Sequence, residues 1–175
     1  TGVEIDPEMA SLAESGVAAN GFQNRVTIET GEASDWVKPY QNRFDLVFAN
    51  PPYFESGKIS APGEGKTSAY IESLDVSGWV KAMVFAAKPR APIVLIHRAA
   101  ELARILAVMD KQTGEVTVLP LAAKPGAEAS RVLVRGRKGL KRGPLRLLAP
   151  MHTHAADGSP SDVAQAVAAG GAIGW

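Results

Sequence analysis

The 175-residue chain contains no cysteine, which excludes a disulfide framework, thiolate catalysis and a cysteine-ligated metal. Long hydrophobic runs are also missing. No apolar stretch approaches the roughly 20 residues needed to cross a bilayer, and the first residues show no signal-peptide pattern. A cytoplasmic protein with no membrane partner is the expectation. Net charge is nearly absent too, at +1. What remains is 46% hydrophobic and 21% charged, the composition of an ordinary globular protein with room for one substantial core.

The small net charge conceals a division. Residues 1–80 carry 5 Lys/Arg against 12 Asp/Glu, residues 81–150 carry 14 against 4, and residues 151–175 carry none against 2. Such asymmetry suggests a basic region facing a polyanion, with the remainder acidic. Arg131, Arg135, Arg137, Lys138, Lys141, Arg142 and Arg146 fall within 16 residues. Arg131, Arg135 and Arg137 are separated by even numbers of residues, and so fall on one face of a strand. The stripe suits phosphate tracking; a solvated edge strand protected by charge is the competing structural reading.

Alternation of apolar patterns organises the chain. Val3 and Ile5 end a strand, Asp6 caps a helix with Pro7 at its first position, and Asn20-Gly21 stops it. Val26–Ile28 reads as a second strand leading to Gly31-Glu32-Ala33. Phe44–Ala49 reads as a third, buried strand. It halts at Asn50-Pro51-Pro52-Tyr53, where neither proline has an N–H for a ladder. Residues 51–68 form a long Gly/Pro/Ser-rich loop of the kind that more often binds a ligand than merely connects elements. Leu74–Lys88 is expected as a helix and Ala91–Arg98 as a strand buried on both faces. A helix over Glu101–Asp110 and strands at about 115–121 and 130–137 follow, the strands too close for a crossover and so antiparallel. The fold class is therefore α/β: an open, mostly parallel sheet with one reversed strand near its edge. After Pro150 only a short helix, Ser161–Ala169, is patterned.

Ligands of open α/β sheets bind beyond the carboxyl ends of the parallel strands. Glu4 at the first end suits vicinal ribose hydroxyls, Glu32 past the second an exocyclic amine, and Asn50 follows the third. His97 reads as a packed or capping residue, and Trp36, Trp79 and Trp175 as packing residues. His152-Thr153-His154 has no spaced carboxylate partner, so no metal is expected.

In order and spacing, "GVEIDPEM", Gly31-Glu32 and "FDLVFANPPY" resemble the class I S-adenosylmethionine-dependent methyltransferases. More narrowly, the chain resembles the bacterial group that methylates N6 of an adenosine in tRNA beside the anticodon. The resemblance extends to "PIVLIHRAAEL" and "RVLVRGRKG". It implies a Rossmann-like, seven-stranded sheet and S-adenosylmethionine held by Glu4, Ile5, Glu32, Ala33 and Asn50. It also implies a catalytic turn of Asn50, Pro51 and Tyr53. Pro52, Tyr53, Phe54, Lys58, Arg131, Arg135, Arg137 and Lys138 would meet tRNA, with Lys66 a further phosphate contact. Residues 1–150 would form the catalytic domain and 151–175 a tail packed on it. The family has a Gly-rich loop after a central first strand. Only Thr1-Gly2-Val3 precede Glu4, so a chain lacking that strand and loop, and inactive as it stands, is expected. Enzymes that methylate a glutamine amide of release factors, or adenine in DNA, share Asn-Pro-Pro-Tyr and are the alternatives. A non-catalytic RNA-binding domain is the alternative of another class.

Overall fold

The computed structural model describes residues 1–52 and 75–174. β1 (Gly2–Glu4) leads into α1 (Pro7–Ala19) through Asp6, whose Oδ1 accepts the Glu8 and Met9 backbone N–H groups at 2.8 and 3.4 Å. A cap of this kind stabilises a helix by about 1 kcal/mol. β2 (Ile28–Thr30) begins two residues later than the sequence pattern suggests. The Arg25 and Val26 N–H groups are bound to the Phe22 carbonyl at 2.8 and 2.9 Å, which holds them in a turn. β1 and β2 pair in parallel. A single helical turn, α2 (Ala33–Trp36), follows where only a loop was expected.

β3 is only Val47–Ala49. Phe44 makes an isolated bridge to Ala87, and Asp45 leaves the ladder to pair with Lys88 at 2.8 Å. The expectation of a buried strand over Phe44–Ala49 is corrected here: Phe48 is 76% exposed and Leu46 50%. β3 has a hydrogen-bonded neighbour on one edge only among the described residues, namely β4 (Pro92–Arg98), in parallel. Between them in sequence lies α3 (Val76–Ala86), capped by Asp75 through the Gly78 N–H at 2.7 Å. Leu74, the expected start of that helix, lies outside the described residues.

A 3₁₀ turn (Ala99–Glu101) leads into α4 (Leu102–Gln112). β5 (Thr113–Ala122) and β6 (Ala129–Lys138) form the expected antiparallel hairpin. β6 also pairs antiparallel with β4, so the reversed strand is interior to the sheet. The edge-strand reading of the basic stripe is thereby overturned. β7 (Arg146–Leu147) and β8 (Met151–His152), legible in no periodicity because each is two residues long, pair in parallel with β5. α5 (Asp162–Ala168) forms near the expected span, with Ser161 Oγ accepting the Ala164 N–H at 3.1 Å.

Two sheets result among the described residues: β1–β2, and a larger one in the order β3–β4–β6–β5–β7, with β8 also on β5. The core lies on one face of the larger sheet. Ile93 and Leu95 of β4, Val132 and Val134 of β6 and Val118 of β5 pack with Val80, Met83, Ile105 and Met109 of α3 and α4. Burial therefore alternates along β4, correcting the expectation of a strand buried on both faces. The apolar character of Val94 and Ile96 covers a half-buried side.

Candidate active site

β3 stops because Pro51 and Pro52 offer the ladder no N–H. Pro51 is fully buried, whereas Asn50 and Pro52 on either side are exposed. The turn is thus anchored by one ring, with Asn50 exposed beside it. Tyr53, Phe54, Lys58 and Lys66, and the rest of the 51–68 loop beyond Pro52, lie outside the described residues.

Glu4 ends β1 with its carboxylate half-buried, and Oε1 accepts the Asp6 N–H at 3.0 Å. That bond fixes the side chain just past the strand end. Ile5 beside it is 47% exposed. Glu32 has a structural duty the sequence reading missed: it is the N-cap of α2. Its Oε2 accepts from the Ser34 and Asp35 N–H groups at 3.0 and 3.1 Å and from the Ser34 hydroxyl. Ala33 opens that helix. Glutamate is not among the residues that usually cap helices, so the sequence carried no cap signal there. Trp36 is held by Glu29, Nε1 donating to Oε2 at 2.6 Å, and its ring stacks on Tyr40 at 4.3 Å and Phe44 at 6.0 Å. α2 and its aromatic stack thus connect β2 to the segment leading into β3.

The basic stripe divides along β6. Arg131 lies opposite Arg98, the last residue of β4, while Arg137 lies opposite Pro92, the first. Because β3 and β4 are parallel, with Ala49 level with Leu95, the Arg98–Arg131 end is the Asn50 end. Arg137 and Lys138 are about 20 Å away at the other end, at about 3.3 Å per residue. There they are engaged structurally. Arg137 Nε donates to the Arg90 carbonyl at 2.8 Å and its guanidinium faces Glu115 at 3.7 Å. Lys138 Nζ donates to Asn42 Oδ1 and to the Ala87 and Phe85 carbonyls at 2.7, 2.9 and 3.3 Å. Burial lowers its pKa from the ordinary lysine value. Arg135 is half-buried midway, opposite Val94. Arg98 was not singled out in the sequence. The β4–β6 register that pairs it with Arg131 is what brings it in.

His97 is 4% exposed, and burial lowers its pKa, opposed by Glu101 and reinforced by Arg98. Its position on the helix-covered face agrees with a packing role. No group of three or more metal-ligating side chains occurs among the described residues, and none of their helices is long and apolar enough to cross a membrane.

No protein-family model matches the chain. A tRNA1(Val) (adenine(37)-N6)-methyltransferase of Citrobacter koseri is 36% identical over 73 residues, 42% of this chain and 30% of that protein. The match therefore spans less than a third of the relative's length. Among solved structures, a predicted O-methyltransferase from Agrobacterium tumefaciens superposes with a TM-score of 0.73 at 20% identity, covering 98% of this chain and 77% of that one. An S-adenosylmethionine-dependent O-methyltransferase from Thermotoga maritima gives 0.57 at 16% identity, covering 81% and 50%. The α/β topology, the parallel strands ending at Glu4 and Ala49, the reversed β6 and these superpositions together show a Rossmann-like fold of the kind those methyltransferases have.

Proposed function

We propose that the protein containing this chain transfers a methyl group from S-adenosylmethionine to N6 of an adenosine in tRNA. The observation that carries the reading is the turn after β3: an exposed Asn50 followed by a fully buried Pro51. The similarity over 73 residues to a tRNA adenine-N6 methyltransferase supports the acceptor.

An adenine amine is a poor nucleophile because its lone pair is delocalised into the ring. Acceptors placed at its two hydrogens, Asn50 Oδ1 and the Pro51 carbonyl, favour a tetrahedral nitrogen with the lone pair available. Fixed proline φ angles keep those acceptors from reorienting, the condition for electrostatic preorganisation. Tyr53 next to the turn supplies a face on which the base stacks, worth about 1–3 kcal/mol. As the new N–C bond forms, the donor S–C bond breaks and the amine proton leaves to water.

S-adenosylmethionine supplies the electrophilic methyl group when bound. Glu4, with Oε1 oriented by the Asp6 N–H, suits the ribose hydroxyls, and Ile5, Glu32 and Ala33 suit the adenine side. The methionine end has no equivalent cradle among the described residues. Gly2 is a packing glycine, since a Cβ there would meet Ile28 Cδ1 at 3.1 Å. The residues present thus fit the nucleoside part of the donor.

The acceptor is tested with labelled S-adenosylmethionine, unmodified tRNA, adenine-containing DNA and a release factor offered separately. The assay uses the full-length protein that contains this chain. Label in tRNA alone is expected. Label in the release factor alone would replace this reading with amide methylation.

A further inference from the structure

Resting on the tRNA reading above, we propose that Arg98 and Arg131 form a clamp for the RNA phosphate backbone beside the Asn50 turn. The two residues are direct partners across the antiparallel β4–β6 pair, and both are exposed. Like charges opposite each other on adjacent strands are unfavourable, by up to about 1 kcal/mol. An anion seated between them reverses the sign of that interaction.

Position gives the pair its function. Ala49 is level with Leu95, so Arg98 lies two residues beyond the level of Asn50 and one strand across. Strand spacing of about 4.8 Å and rise of about 3.3 Å place its backbone about 8 Å from Asn50, and that of Arg131 about 12 Å. These distances suit phosphates flanking a base presented to Asn50. Arg98 and Arg131 each have an interaction within the chain, and a guanidinium, with five N–H donors in a planar fork, can serve a phosphate oxygen alongside another partner. Next along the same face, Ile96 lies opposite Leu133, both half-buried. Such an apolar floor lowers the local dielectric and strengthens charge-assisted bonds. At the far end, Arg137 meets the Arg90 carbonyl and Glu115, and Lys138 meets Asn42 and the Ala87 carbonyl.

The test titrates a fluorescent, unmodified tRNA transcript against the 175-residue chain from 50 to 300 mM salt, with thermal unfolding as a check on each variant. Wild type is compared with R98Q/R131Q, with R98K/R131K, and with R104Q/K111Q on α4 as a control of equal charge loss. The account expects R98Q/R131Q to weaken binding at least tenfold at 100 mM salt. It also expects the slope of log Kd against log salt to fall by about 2, roughly one per phosphate contact. R98K/R131K should recover that slope, and the control should stay within about twofold of wild type. Wild-type affinity in R98Q/R131Q, an equal loss in the control, or salt-independent wild-type binding would each overturn the clamp. Methyl transfer to tRNA alongside an unchanged R98Q/R131Q affinity would refute the clamp and leave the tRNA reading intact. Transfer to a release factor alone would refute that reading instead.

Discussion

Lys138 and Asn42, 96 residues apart in sequence, are joined by a 2.7 Å bond from the Lys138 ammonium to the Asn42 side-chain oxygen. The same ammonium also donates to the Ala87 and Phe85 carbonyls. It closes the turn that brings the approach to β3 against the end of α3. Asn42 sits at φ 55°, a left-handed conformation that asparagine tolerates better than most residues. Lys138→Met should therefore lower stability by about 1–3 kcal/mol, the cost of bonds to a charged donor. Its effect on tRNA affinity should be smaller than that of R98Q/R131Q. Urea unfolding and the anisotropy titration measure the two. A stable variant with tRNA affinity lost would return Lys138 to the RNA-binding surface.

His97 gives a pH signature. Burial holds its folded pKa below the ordinary value of 6.5, with Glu101 opposing and Arg98 adding. As pH falls through 6.5 the unfolded chain takes up the proton first, so folding stability declines toward the lower folded pKa. Replacing His97 with glutamine should flatten the stability profile between about pH 7.5 and 5.5, above the ordinary carboxylate range. An unchanged profile in urea unfolding would show that His97 is not the group responsible.

Gly136 has no room for a side chain. A Cβ there would lie 2.6 Å from Thr113 Oγ1 and 2.7 Å from Met109 Cε, and Thr113 Oγ1 is already donating to the Met109 carbonyl at 2.7 Å. Gly136→Ala should cost about 1–3 kcal/mol through overpacking at the α4–β5 corner. Thermal unfolding is the measurement, and an unshifted midpoint would mean that the corner relaxes freely.

β1 and β3 each have one hydrogen-bonded edge among the described residues, and Phe48 on β3 is 76% exposed. The 175-residue chain by itself should therefore bind S-adenosylmethionine weakly, with Kd near about 1 mM, equivalent to about −4 kcal/mol. Calorimetric titration tests this. Micromolar affinity would show that Glu4 and its neighbours suffice without a Gly-rich cradle.

Local chemistry was the legible part of the fold. Asp6-Pro7, Asn50-Pro51 and Ser161 announce their caps and breaks through side chains or missing N–H groups that act within a few residues. The β5–β6 hairpin followed from the spacing alone. What the sequence did not reveal depends on tertiary neighbours. Phe48 lies in a run as apolar as any buried strand, yet exposure depends on what packs over β3, which composition does not record. Glu32 looked like a free ligand because its helix, at four residues, is too short for periodicity. The basic stripe was legible as charge but not as two ends of one strand. Only the register that sets Arg131 against Arg98 and Arg137 against Pro92 separates them.

The most direct test is methyl transfer by wild type and Asn50→Ala in the full-length protein that contains this chain. Labelled S-adenosylmethionine and unmodified tRNA are supplied, and the product is digested to nucleosides. The account predicts label in N6-methyladenosine for wild type and a loss of at least about a hundredfold in rate for Asn50→Ala, the scale of removing one preorganised polar group. Affinity for tRNA should be little changed. Label in another nucleoside, or full activity in Asn50→Ala, would contradict it.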